Sequence, residues 1–192
     1  MTQPLAPGIK GNVLLARLEF VRGRGGEPAV SAVLGRLSRR DQDVLRGQIL
    51  PIAWYPLELS LRLDEAIAAV LSPENRARVF VEMGRASADA DLGGAQRHLL
   101  EEGDPHFLLS NAPRVFSASH TVGRSEYQRT GDTSAVIRTH DADGATAGGC
   151  LTAAGFYARG IERSGGKDVK VVETRCRTRG DPCCEWRCEW AM

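Results

Sequence analysis

The chain has 192 residues and a mass of 20.8 kDa. Apolar residues make up 42%, charged residues 26% and aromatics 6%, which excludes a wholly disordered or collagen-like chain. Lys+Arg number 25 against 24 Asp+Glu, a net charge of +1, so the basic surplus of a dedicated nucleic-acid or anionic-membrane binder is missing.

No apolar run approaches the ~20 residues of a membrane helix. The stretch from Met1 to Lys10 is polar and lacks the basic and greasy segments of a secretory signal, so a cytoplasmic, reducing location is expected. The length suits one domain over residues 1–192. It divides by pattern into a helical half, 1–104, and a C-terminal half, 105–192.

In chain order, Val13, Leu14, Leu18 and Val21 fall at helical spacing, and Gly23, Gly25 and Gly26 act as a stop. A second helix is expected from about Glu27 to Leu37. Ser38 then reads as the cap of the next one. Trp54-Tyr55-Pro56 follows, read as a core anchor between helices rather than a pocket wall. From Leu57 the leucines alternate like a strand, yet Leu59, Leu63, Ala66, Ile67 and Val70 also share a helical face. The Glu and Ala content favours helix. Ser72-Pro73-Glu74 opens another helix, and Ala86 to Glu102 reads as helical up to Gly103-Asp104-Pro105. Phe107, Leu108, Leu109 and Val115 mark one more helical piece.

The character changes near Val122. Tyr127 and Ala135 to Ile137 are β-type runs around a Thr130-Gly131-Asp132 turn. A loop from Asp141 to Gly149 leads to a helix with Cys150, Ala153, Ala154, Tyr157 and Ile161 on one stripe. Ser164-Gly165-Gly166 ends it. Val169, Val171 and Val172 form a strand. After a Gly180-Asp181-Pro182 turn, Cys184, Trp186, Cys188 and Trp190 share one parity on a last strand. Helices first, then an antiparallel sheet interrupted by one helix, make an α+β fold.

All five cysteines lie from Cys150 onward: Cys150, Cys176, Cys183, Cys184 and Cys188. An odd cluster in a reducing location points to metal binding, with inert structural thiols and redox chemistry as the alternatives. Cys150, Glu173, Cys176 and Cys184 supply three sulfurs and a carboxylate, a complete tetrahedral set for zinc. Cys150 begins a helix, Glu173 and Cys176 end a strand, and Cys184 starts its partner. Glu173 and Cys176 are three apart, so an ideal strand sends them to opposite faces. The backbone must bulge between them for both to reach one ion. Arg175, Arg177, Arg179 and Arg187 flank the set and offset its excess negative charge, or they are the solvated face of an edge strand.

The segments Cys150-Leu-Thr-Ala-Ala-Gly155-Phe156, Gly165-Gly166 and Val172-Glu173-Thr-Arg-Cys176-Arg-Thr-Arg-Gly180-Asp-Pro-Cys-Cys184-Glu-Trp186 resemble the 4-vinyl-reductase domain over about residues 105–190. That group includes the zinc-binding sensory domains of phenol- and xylene-responsive activators. Its ligands are a Cys, a Glu 23 positions on, a Cys three further and a Cys eight beyond, and Cys150, Glu173, Cys176 and Cys184 occupy all four places. The resemblance implies helical layers against a twisted antiparallel sheet, a fold shared with NO-signalling and Golgi-transport proteins, and a tendency to form homodimers. The aromatic-sensing relatives hold phenols with a His and a Trp ahead of the first Cys. No residue here aligns with that Trp, so phenol sensing does not carry over. The first half, with Phe20-Val21-Arg22 and Ile49-Leu50-Pro51-Ile-Ala-Trp54-Tyr55-Pro56, is similar to a paralogous myxobacterial family, which implies no activity.

Four protein ligands leave no open position, so the zinc is expected to be structural and the protein not an enzyme. The expected function is a zinc-containing sensory or adaptor domain that binds a small apolar ligand, a protein effector, or both. The alternatives are an enzyme or accessory subunit of tetrapyrrole (4-vinyl) reduction and a dimeric tethering scaffold. His98, His106, His120 and His140 pair with no nucleophile at a recognisable spacing and read as surface or capped histidines. Cys183 reads as a surface thiol, and Cys188 as core or as a nearby alternative ligand.

Overall fold

A computed structural model describes residues 6–142 and 144–192. The first five residues of the polar Met1 to Lys10 stretch lie outside the described residues. The chain opens with β1 (Gly8–Lys10), which pairs antiparallel with β2 (Trp54–Pro56). Between them run α1 (Gly11–Leu34) and α2 (Arg39–Arg46). Leu14, Leu18 and Val21 are buried on one face of α1, as their spacing predicts. The expected glycine stop is a kink inside α1, where Gly25 and Gly26 leave helical geometry and Gly26 has φ +63. Only glycine takes that conformation at no steric cost. Ser38 caps α2, its hydroxyl accepting from the Asp41 N–H at 3.2 Å.

Trp54 is not a core anchor. It sits in β2 with 46% of its surface exposed, and the Lys10 ammonium lies 3.9 Å from the ring centroid. Tyr55 takes up part of the anchoring, since its hydroxyl accepts from the Leu50 N–H at 2.9 Å.

The ambiguous leucine run is helical. It forms α3 (Leu57–Leu71), which buries Leu59, Leu63, Ala66 and Ile67. A short 3-10 turn at Pro73–Asn75 leads into α4 (Arg76–Gly93), with the Asn75 side chain accepting from the Arg78 N–H at 3.2 Å. The expected helix from Ala86 to Glu102 is therefore misplaced. Ala86 lies inside α4, and the chain after Gly93 is turns and a 3-10 segment at Arg97–Leu99. The pair Gly93-Gly94 ends the helix, and the Ala-rich run ahead of it masked that stop. Two short helices follow, α5 (Pro105–Ser110) and α6 (Ala112–Ser119).

The sheet comprises β3 (Arg124–Gly131), β4 (Ser134–His140), β5 (Lys167–Arg175) and β6 (Cys184–Ala191), all antiparallel in the order β3-β4-β6-β5. The helix α7 (Ala147–Arg163) connects β4 to β5. The even-numbered residues of β6 from Cys184 to Trp190 are buried and the odd ones face outward, so the parity read from the sequence is the parity of the fold.

One apolar core lies among α1, α2, α3 and α4, and a second between the sheet and α7. The helices α4 and α7 join them through a very close backbone approach. A Cβ on Gly84 would stand 1.9 Å from the Thr152 carbonyl oxygen, and one on Gly155 would stand 2.1 Å from that of Val81. No side chain fits either place. Among the described residues no helix is long and apolar enough to cross a membrane.

Candidate metal centre and adjoining cavity

The four predicted ligand positions meet at one corner, where their donor atoms lie within 4.8 Å of one another. Cys150 stands in the first turn of α7, which Thr146 caps by accepting from the Gly149 N–H at 2.9 Å. Glu173 lies on β5 opposite Trp186, and the β5–β6 register shifts between Glu173 and Arg175. That shift is the irregularity the odd spacing requires. It turns the chain so that Cys176, three residues after Glu173, faces the same corner.

The connection from Cys176 to Cys184 is held from within. The Cys176 N–H donates to the Asp181 carboxylate at 2.7 Å, and the Arg179 N–H to the Cys176 carbonyl at 2.9 Å. Gly180 closes the turn in the left-handed region, φ +92. This fold-back aims the Arg177 N–H at the Cys184 sulfur, 3.5 Å away.

Cys150 Sγ lies 3.7 Å from Cys176 Sγ and 3.5 Å from Cys184 Sγ. In a tetrahedron with metal–sulfur bonds of about 2.3 Å, sulfurs stand about 3.8 Å apart. One carboxylate oxygen of Glu173, Oε2, accepts from Arg179 Nη1 at 2.9 Å. The other, Oε1, is buried and has no hydrogen-bond partner. A buried acceptor without a donor is costly, and a cation at the centre of the cluster would satisfy it. Burial pushes the Cys150 thiol well up, and the nearby Glu173 and Cys184 add to the rise. Burial likewise raises Cys184. A divalent ion reverses this logic, because it favours the thiolates that burial disfavours.

The arginines are not merely a solvated face. Arg179 touches Glu173, Arg175 lies 3.9 Å from Glu185, and Arg187 pairs with Glu189 at 2.7 Å. Cys183 is buried, with 2% of its surface exposed, so the surface-thiol expectation fails. It precedes the inward-facing Cys184, at the end of the connection from Cys176. Cys188 is fully buried in the sheet opposite Ala135 and Val171, and burial pushes its thiol up to about 12. It belongs to the core and not to the ligand cluster.

Beside the corner lies a cavity of about 260 Å³; Trp186 lines it, and Cys150 and Cys184 belong to both. Sequence reasoning missed its polar side chains. Arg17 of α1 donates through Nε to Asp64 of α3 at 2.7 Å and through Nη1 to Ser87 of α4 at 2.6 Å. Asp91 of α4 lines the same space, and burial raises its carboxyl above the usual range. A signal was present. Arg17 sits on the apolar stripe of Leu14, Leu18 and Val21, and Asp64 between Leu63 and Ile67, so each helix puts one charge where burial demands a partner.

Three histidines are bonded near the surface as expected. His98 Nδ1 lies 3.2 Å from the Ala95 carbonyl, His106 Nε2 2.9 Å from that of Asp132, and His140 Nε2 3.1 Å from the Glu126 carboxylate. His120 departs from that expectation, because it lines the cavity. Its ring stacks on Phe116 with centroids 4.3 Å apart, its Nδ1 lies 3.2 Å from the Phe116 carbonyl, and burial pushes its pKa down.

Solved structures share this architecture. A substituted H-NOX protein from S. oneidensis in the Fe(II) ligation state superposes with a TM-score of 0.74 at 12% identity, over 96% of this chain and 97% of that one. The Fe(II) unliganded H-NOX protein from K. algicida gives 0.69 at 9% identity, over 96% and 97%. A structure concerned with heme distortion in the H-NOX family gives 0.69 at 12%, over 96% of both chains. At these identities the likeness is one of fold. No curated protein matches the chain. Residues 29–191 match the model of a protein family of unknown function (DUF2378), and the chain belongs to that family.

Proposed function

We propose that this protein is a non-enzymatic ligand-binding domain of sensory or adaptor type. Zinc on Cys150, Glu173, Cys176 and Cys184 holds it together, and the adjoining cavity receives a small apolar ligand. The donors suit zinc: three soft sulfurs and one oxygen, tetrahedral spacing and an orphaned carboxylate oxygen. Four protein ligands close the coordination shell, so the ion stabilises the fold and offers no open position for chemistry. The resemblance of residues 105–190 to the 4-vinyl-reductase domain supports the same four ligands.

One observation carries the ligand-binding part of the reading. Cys150 and Cys184 belong both to the metal cluster and to the cavity wall. A ligand in the cavity presses on the ion's own ligands and on the first turn of α7, so occupancy reaches the sheet.

The structural neighbours belong to a heme-containing family, and the cavity as it stands favours a ligand smaller than heme. His120 does have its Nδ1 held by a backbone carbonyl, as a metal-binding histidine does. The space as it stands is small for it, however. A dry cavity of about 150 Å³ takes one benzene ring, so 260 Å³ suits one or two rings better than a four-ring macrocycle. The same volume argues against a tetrapyrrole substrate and disfavours the reductase alternative.

Elemental analysis with native mass spectrometry tests this reading. One zinc per chain and a small organic molecule released on denaturation are expected, and added hemin should give no shifted Soret band. Metal-free folded protein would remove the zinc, and stoichiometric hemin uptake would overturn the small-ligand assignment.

A further inference from the structure

We propose that the cavity ligand is a small organic cation, an amine carried on one or two aromatic rings, with its ammonium on the Asp91 carboxylate. This rests on the ligand-binding reading, keeps its apolar ring system and adds one charged end to it. The polar end of the cavity holds one guanidinium, Arg17, against two carboxylates, Asp64 and Asp91. Arg17 and Asp64 are 2.7 Å apart and form a direct pair, and Ser87 takes another of the Arg17 N–H groups at 2.6 Å. Arg17 also attracts Asp91 from farther off, so the three groups carry one carboxylate in excess, and Asp91, hydrogen-bonded to Asn12, is the one that Arg17 does not hold directly.

An anionic ligand would bring a third negative charge to a site whose one cation is already matched. A neutral ligand would leave the Asp91 charge poorly solvated. An ammonium solves the problem directly with a charge-assisted hydrogen bond.

The rest of the wall suits the same ligand. Phe116, Phe156, Tyr157 and Trp186 line the cavity. Aromatic faces attract a cation, and the more so where water is excluded. Their apolar area also receives the ring system. His120 adds no competing positive charge, because its burial favours the neutral imidazole. The volume guides the size: a cavity of about 150 Å³ takes one benzene ring, and 260 Å³ is available.

Three probes that share one ring system separate charge from shape: 1-naphthylmethylamine, 1-naphthalenemethanol and 1-naphthoate. Each is titrated calorimetrically into the purified zinc-containing full chain at neutral pH. The amine should bind at least tenfold more tightly than the alcohol, and the carboxylate should not bind measurably. Asp91→Asn should weaken the amine at least tenfold and so erase the difference between amine and alcohol. Equal binding of amine and alcohol, or tighter binding of the carboxylate, overturns the cation assignment, while alcohol binding preserves the ligand-binding reading. Failure of all three probes overturns both. Should Asp91→Asn not fold, the ranking of the three probes on the unsubstituted protein decides.

Discussion

The metal corner and the polar end of the cavity share a wall but are assembled in opposite ways. Three of the four donors at the corner, Glu173, Cys176 and Cys184, come from one strand pair and its connection, and Cys150 is delivered by the helix just before it. The polar end takes Arg17 from α1, Asp64 from α3, and Ser87 and Asp91 from α4. Nothing local holds these residues together, and only the packing of three helices does. On the proposed reading the corner depends on an ion, whereas the polar end depends on its neighbours.

The largest effect should come from breaking the corner. A structural zinc contributes about 10–16 kcal/mol of apparent binding energy in small zinc domains, comparable with the ~5–15 kcal/mol total stability of an ordinary domain. Cys176→Ser and Cys184→Ser should give insoluble or zinc-free protein, read by metal stoichiometry and by loss of a cooperative melt. Cys183→Ser should be far milder, about 1–3 kcal/mol for a hydroxyl placed in a buried site, and should keep its zinc. Equal sensitivity of Cys183 and Cys184 would mean that the wrong neighbour carries the ion.

Next comes the buried pair across α1 and α3. Removing one partner of such a pair costs about 3–5 kcal/mol, whereas replacing both by apolar residues of similar volume is close to neutral. Arg17→Met alone leaves Asp64, only 7% exposed, without its cation. Arg17→Met combined with Asp64→Leu should recover most of the loss in a denaturant titration. If the double variant is no more stable than Arg17→Met alone, the two charges do not act as a pair. Unlike the corner variants, all of these should retain zinc.

The contrast also explains what the sequence could reveal. Donor spacing from Glu173 to Cys184 survives in the sequence because a strand, a tight turn and a second strand translate it directly into space. Even the irregularity after Glu173 was implied, since two residues three apart cannot share a face of a regular strand. The alternation of Cys184, Trp186, Cys188 and Trp190 was legible for the same reason. The cavity was not, because the approach of α1, α3 and α4 is set by helix packing, which no single helix encodes. Arg17 and Asp64 each read as an oddity on an apolar stripe, and nothing local said that they were each other's solution. Cys183 was misread because burial followed from its place in the fold and not from its own type. The end of α4 was misplaced because helix-forming residues, Ala95, Gln96, Leu99 and Leu100, continue the pattern past the glycine pair that stops it.

A smaller effect should follow from forcing α4 and α7 apart. Gly84→Ala places a methyl where 1.9 Å separates it from the Thr152 carbonyl oxygen. Overpacking of this kind costs about 1–3 kcal/mol, and each kcal/mol lowers Tm by about 2–4 °C in a domain of this size. The same shift widens the cavity wall, so Gly84→Ala should lower Tm by several degrees and weaken naphthalenemethanol binding. Gly23→Ala, inside α1 with nothing within 4 Å of the added methyl, is the matched control: it should leave binding unchanged and raise Tm slightly through helix propensity.

The finest distinction between the two regions is their response to acid. Burial holds the pKa of His120 below its ordinary value, which is about 6.5 in an unfolded chain. Between its folded pKa and that value the unfolded state binds more protons than the folded one, so stability rises with pH across this window. The contribution is complete above about 6.5 and is lost as pH falls toward the folded pKa. His120→Phe keeps a ring on Phe116 and removes the titration, so its Tm should fall less than that of the unsubstituted protein between pH 7 and pH 5. Acid also protonates the cysteines and releases zinc, but that loss is common to both proteins and cancels in the difference. Parallel Tm curves for the two proteins would assign the whole acid response to the metal corner and none to the cavity.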